Sequence, residues 1–144
     1  MDYKLELVLI PVTDVDRAKS FYVDRAGFGL QVDTKINDNM RVVQVTPPGS
    51  ACSIGFGTGI TAAAPGSAQG LHLVVSDIVA ARAELAGRQV EISEVRHLES
   101  GEWVQGPHPQ RGNYESFADF ADPDGNIWVV QEVNRDSGQS QGSK

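Results

Sequence analysis

The side chains able to do chemistry are few and scattered. His72 stands in the apolar run Gly70 to Val75. A histidine there titrates near neutral pH and is a candidate general base or hydrogen-bonding donor to a ligand. The plainer reading is a neutral imidazole satisfied by a neighbour. Gln131 lies in the last apolar run, and Gln44 and Ser53 offer an amide and a hydroxyl in earlier ones. Gln44 reads equally as a ligand-facing amide or a surface residue, and a strand serine is commonly without a special role. Arg41 could bind an anion, though such an arginine more often pairs on the surface. His97, Trp103 and His108 sit among Gly and Pro. The two histidines are separated by irregular chain and are not treated as a ligand pair. The Trp103 ring has three readings: a lid over a ligand, a contact with a dimer partner, or a cover for the domain's own core. Cys52 occupies an apolar, strand-like run and reads as inert core rather than a nucleophile. Asp122-Pro123-Asp124-Gly125 carries two carboxylates. Pro presets φ and Gly allows positive φ, so this is turn chemistry, not a catalytic dyad or a calcium loop.

At 144 residues the chain is expected to form one domain with a real core. A net charge of −7 argues against nucleic acid and anionic membrane surfaces as partners. There is no apolar run long enough to cross a membrane, and MDYKLEL has no secretory h-region. One cysteine leaves no internal disulfide, so a cytoplasmic protein is expected.

These residues are positioned by a repeat. Val12, Asp14 and Ala18 correspond to Val75, Asp77 and Ala81 at a constant offset of 63. Such an offset suggests two copies of one supersecondary unit. In the first, 5–12 reads as a strand buried on both faces, with Pro11 marking an edge or an end of pairing. Asp14 is a plausible N-cap for a helix over 15–25, which Gly27 ends. Strands follow over 28–34, 40–46 and 51–57, and 59–69 reads as a linker. The second copy predicts a strand over 70–75, a helix over 77–87 and a strand over 90–96. An irregular stretch, 97–113, is too long for a simple hairpin and reads as a lid or mobile segment. Strands over 114–121 and 127–133 flank a tight turn. The expectation is α+β: two β-α-β-β-β modules, about 5–58 and 70–133, in a domain 1–134, with a flexible tail 135–144.

Two such units, with V-T-D-V-D-R-A-K-S-F-Y and Gly27-Phe28 in the first and V-S-D-I-V-A-A-R-A-E-L and D-P-D-G-N in the second, resemble the vicinal oxygen chelate superfamily. It includes glyoxalases, extradiol dioxygenases, fosfomycin-modifying enzymes and bleomycin-resistance proteins. The resemblance spans about 5–133. It implies half-barrel modules around a shared cleft, and homodimers are frequent in the family. It also implies metal-ligand positions on the first and last strand of each module. Carried over, these fall on Leu7, Gly55, Gly70 and Val129, none of which has a side chain that binds a cation. The usual water-activating ligand set is therefore missing, and no cofactor is expected. Two glycines and two aliphatics imply instead an open apolar floor suited to an organic ligand.

Side chains two apart on a strand share a face. His72 is thus in phase with Gly70, Gln131 with Val129, Leu9 with Leu7 and Ser53 with Gly55. With Gln44 and Trp103, these line the implied cleft. Glu6 and Glu132 are out of phase, which disfavours a metal relocated to His72 and Gln131. Trp128 alternates away and reads as core. The leading expectation is a metal-independent protein binding a small, partly aromatic or apolar molecule, as bleomycin-resistance proteins do. The rival is an enzyme (lyase, isomerase or dioxygenase) using a divalent metal at a non-standard site or His72 as acid-base catalyst. A regulatory interaction module is the third class.

Overall fold

Two aspartates start the two helices. Asp14 accepts a hydrogen bond from the Arg17 amide at 3.0 Å, and Asp77 accepts from the amides of Val79 and Ala80. Each satisfies backbone donors that a helix start leaves orphaned. A computed structural model describes residues 1–134; the expected tail, 135–144, lies outside the described residues. The chain divides into two compact units. One comprises 1–69 with 121–127, the other 70–120 with the chain from Trp128.

The first unit contains β1 (Leu7–Leu9), α1 (Val15–Lys19), a π-helical segment (Ser20–Arg25), β2 (Gly29–Asn37), β3 (Met40–Thr46) and β4 (Ser53–Thr58). The sheet order is β1-β4-β3-β2, with β1 parallel to β4 and the other pairs antiparallel. Its core is aromatic. Tyr22 is fully buried, with the rings of Phe28 and Phe56 each 5.6 Å away. A Cβ on Gly57 would run into the Arg41 carbonyl, so only glycine fits there.

Two expectations are corrected. The first strand is short, and Leu7 and Leu9 stay 36% and 41% exposed rather than buried on both faces. Here β1 is an edge strand whose pairing stops before Pro11, so alternate side chains point outward. The helix over 15–25 changes character at Ser20, where the Ala26 amide reaches back five residues to the Phe21 carbonyl.

The second unit contains β5 (Leu71–Val75), α2 (Ile78–Gly87), β6 (Arg96–Glu99), β7 (Glu102–Gln105), β8 (Ser116–Ala121) and β9 (Ile127–Glu132). The order is β5-β9-β8-β6-β7, with β5 parallel to β9. Trp128 is core, stacked on Phe120 with ring centroids 6.0 Å apart. The fold is α+β, a helix and a mixed sheet in each module, and the second module has one strand more than the repeat predicts.

That extra strand corrects the irregular stretch. The chain over 97–113 opens with a hairpin, because Ser100 and Gly101 both adopt positive φ between Glu99 and Glu102. Two such residues make a tight turn whose twist suits a hairpin. The expected strand over 90–96 is reduced to one bridge, Ile92 to Phe120, before β6 begins. Side chains take over the backbone groups there: Arg82 Nε donates to the Ser93 carbonyl, and Ser93 Oγ accepts from the Asp119 amide.

The Asp122–Asn126 turn belongs to the first unit. Asn126 is fully buried. Its Nδ2 donates to the Pro11 carbonyl at 2.9 Å and to Asp122 Oδ2 at 2.8 Å, and its Oδ1 accepts from the Ala68 amide at 3.0 Å. Tyr22 Oη donates to Asp122 Oδ2 at 2.8 Å. Thr13 Oγ1 donates to Asp124 Oδ1 at 2.6 Å. Both carboxylates thus serve the turn and its neighbours, as turn chemistry requires. Among the described residues, no helix is long and apolar enough to cross a membrane.

Candidate functional site: the open sheet faces

In β9, Trp128, Val130 and Glu132 are buried while Val129 and Gln131 are partly exposed. The parallel register sets His72 beside Val129 and Val74 beside Gln131. These four therefore share the open face of the second unit's sheet. His72 is exposed, and its Nδ1 lies 2.7 Å from the Gly70 carbonyl. A carbonyl only accepts, so Nδ1 is the donor in this contact. Gly70 itself is not a strand residue. It precedes β5 with φ +81°, which glycine tolerates without strain, and the space where a Cβ would stand is open.

The same alternation leaves Phe117 and Asp119 on the open side of β8. Arg96 pairs with Phe117 and with Gln105, and Leu98 with Trp103. The Trp103 ring meets the Phe117 ring edge-on at 5.6 Å. The Arg96 guanidinium lies 4.8 Å from the Trp103 ring centroid, a cation–π distance, and is held by Asp119 at 3.0 Å. Trp103 remains 54% exposed. It stands on a hairpin strand, on a platform built by its own unit, and not in an irregular lid.

In the first unit, Leu7 pairs with Ser53, and Gly55 is flanked by Leu9 and Gln44. This decides the phase of Gln44: it shares the face of Leu9 and Gly55. The open floor expected at Gly55 is not open. A Cβ there would sit 3.1 Å from Leu9 Cδ2 and 3.3 Å from Leu7 Cδ1, so the leucines already lie across it. The Ser53 hydroxyl is buried and paired with Thr46 Oγ1 at 2.6 Å. Arg41 is an ion-pair partner: it meets Asp33 at 3.0 Å and Asp16 at 2.9 Å. Hydrogen bonds from Arg41 and then Lys19 hold the Asp33 carboxyl far below the ordinary carboxylate range.

Two buried polar groups were not legible as such. Glu132 receives Arg111 at 2.8 and 2.6 Å and the Ile78 amide at 3.0 Å, and Arg111 chiefly holds its pKa low. His97 is 3% exposed, with Nδ1 at 2.7 Å from the Gly106 carbonyl and Nε2 at 2.8 Å from Glu99. Its ring centroid is 5.4 Å from that of His108, a proximity that the strand pairing creates and spacing hides.

Both partners of His97 are acceptors, an arrangement that favours the protonated ring. The Glu99 carboxylate first, and the Gly106 carbonyl second, raise its pKa above the ordinary 6.5 against the opposing pull of burial. The unfolded chain loses this proton near the ordinary value. The stabilisation is therefore complete below about pH 6.5 and is lost as pH rises through the raised folded value. The thermal midpoint, followed from about pH 5.5 to about pH 9, should contain an alkaline fall that His97→Gln removes. An unchanged profile in the variant would show that this ring is not the titrating group.

The family model described as the Glyoxalase/Bleomycin resistance protein/Dioxygenase superfamily matches residues 4–130. The chain belongs to this superfamily. Among solved structures, the superfamily member is similar to TnmS3, described as an antibiotic binding protein from Streptomyces sp. CB03234. The identity is 30%, over 92% of this chain and 97% of that one, with a TM-score of 0.71. A glyoxalase/bleomycin resistance protein from the same Streptomyces is 31% identical over 90% and 100% of the two chains, TM-score 0.68. A superfamily member from Sphaerobacter thermophilus DSM 20745 is 28% identical over 91% and 98%, TM-score 0.69. No curated protein sequence matches the chain.

The metal chemistry that the superfamily resemblance implies does not fit this donor set. Leu7, Gly55, Gly70 and Val129 offer no ligating side chain. Among the described residues no three His, Cys, Asp or Glu side chains gather as a metal site would need.

Proposed function

We propose that this superfamily member binds and sequesters a small, partly aromatic organic molecule on its open sheet faces, with no metal ion at the positions the resemblance implies. The carrying observation is the platform of Trp103, Phe117 and Arg96. A half-exposed indole, steadied by a ring beneath and a cation beside it, offers a rigid apolar surface at low entropic cost. Leu98 and Val129 extend that surface, and His72 and Gln131 add polar groups that can orient a ligand. Similarity to an antibiotic binding protein supports the same reading. The reading places the protein in the cytoplasm and allows a second copy of the chain as partner.

The second reading is an enzyme. It is favoured by His72, whose ring is oriented by the Nδ1 hydrogen bond to the Gly70 carbonyl, leaving Nε2 as the nitrogen that a substrate would meet. Loss of turnover of an identified substrate in His72→Ala, with binding retained, would establish catalysis over sequestration.

The test begins with elemental analysis of purified, untagged protein and titration with nickel, zinc, manganese and iron. Bleomycin and planar aromatic antibiotics are then added while tryptophan emission is followed. The expected result is no metal near one equivalent and saturable quenching by at least one compound on metal-free protein. A full equivalent of metal, lost on mutating His72 or Gln131, overturns metal independence. Unaltered emission and no binding heat across the series overturn sequestration of this ligand class.

A further inference from the structure

On the first unit, the π-helical segment and the Asp122–Asn126 turn border a pocket of about 280 Å³. It is lined by Arg17, Ser20, Phe21, Arg25 and Pro123. The chain as a whole carries a charge of −7, yet this lining holds two guanidiniums and no carboxylate. Arg17 is partly committed: one of its nitrogens reaches Asp124 at 3.3 Å and Thr13 Oγ1 at 3.2 Å. Among the described residues, Arg25 and the Ser20 hydroxyl have neither a hydrogen bond nor an ion pair. The floor is apolar, made by the buried Phe21 and the Pro123 ring.

We propose that this pocket is a second binding site, for a small organic anion: a carboxylate or phosphate on a compact apolar body. The two guanidiniums supply the donor forks that match such anions, and the hydroxyl adds a third donor. Phe21 and Pro123 supply a surface that a bare inorganic ion would leave unused. The volume is near the lower end for small-molecule sites, so the occupant is about the size of one substituted ring. The helix widens at Ser20, and local π geometry of this kind is frequent where a helix serves a site.

The test uses phenyl phosphate as probe on the full chain, with benzyl alcohol as its uncharged counterpart. Backbone amide resonances are followed by NMR. Phenyl phosphate should produce saturable shifts at Ser20, Phe21 and Arg25 with Kd in the region of ~1 mM, and benzyl alcohol none. Arg25→Gln removes an exposed, unpaired side chain, so its remaining spectrum should overlay the parent's. In that variant affinity for the probe should fall by about tenfold. No saturable shift at this segment, equal shifts from the alcohol, or undiminished binding in Arg25→Gln would each overturn the proposal.

Discussion

Trp103→Ala should weaken binding of a quenching ligand by tens of fold while leaving the fold nearly as stable as before. A buried tryptophan anchor commonly carries about 2 kcal/mol or more of binding energy. At 1.4 kcal/mol per decade that is on the order of thirtyfold. The folding cost is smaller, because the ring is 54% exposed and its neighbours survive its removal. An edge-on aromatic pair contributes about 1 kcal/mol. The exposed cation–π contact with Arg96 contributes about 0.5 to 1 kcal/mol, and Asp119 still holds Arg96 in the variant. Calorimetric titration beside a thermal melt separates the two quantities. Trp103→Phe should fall between, since it keeps a ring and loses area. Equal affinity in the alanine variant and the parent would remove the platform from the binding site.

Asn126→Ala should be the most damaging change to the fold. The side chain is fully buried and makes three hydrogen bonds, to Pro11, Asp122 and Ala68. Truncation leaves the Ala68 amide without its acceptor, takes one of two donors from the Pro11 carbonyl, which keeps the Gly66 amide, and opens a cavity; an unsatisfied buried group alone costs about 1 to 3 kcal/mol. A loss of about 3 kcal/mol, or roughly 10 °C in thermal midpoint for a chain of this size, is expected. Asn126→Asp distinguishes hydrogen bonding from volume. It keeps the shape but turns an acceptor toward the Pro11 carbonyl and the Asp122 carboxylate, so it should destabilise at least as much. Near-parental denaturation curves for the aspartate variant would show that volume alone matters there.

The repeat of Val12, Asp14 and Ala18 in Val75, Asp77 and Ala81 made the two modules legible, because a capped helix after a strand is written locally. Alternation placed His72, Val129 and Gln131 on one face because β5 and β9 carry no bulge in their pairing. The exposure of Leu7 is not legible, because composition does not reveal that a strand lies at an edge. The β6–β7 hairpin is hidden in the sequence although Ser100-Gly101 is a turn pair, since the surrounding Gly and Pro resemble a loop. Arg111 is the hardest case. It reaches Glu132 from a residue with φ +53°, and neither that conformation nor a separation of twenty-one residues leaves a local mark. The filling of Gly55 by Leu7 and Leu9 depends on side-chain lean across paired strands, which no linear pattern records.

The capping of Pro11 and Ala68 by Asn126 has a consequence for the order in which the protein is made. On the ribosome, the first repeat emerges complete by Gln69, but its unit still lacks the turn at 121–127. The Pro11 carbonyl is met within the repeat by the Gly66 amide, but the Ala68 amide must wait for Asn126 before it is answered. Domains ordinarily fold from the N-terminus as they are synthesised. Here the first unit is closed by a turn that follows most of the second repeat, so the two repeats cannot be completed one after the other.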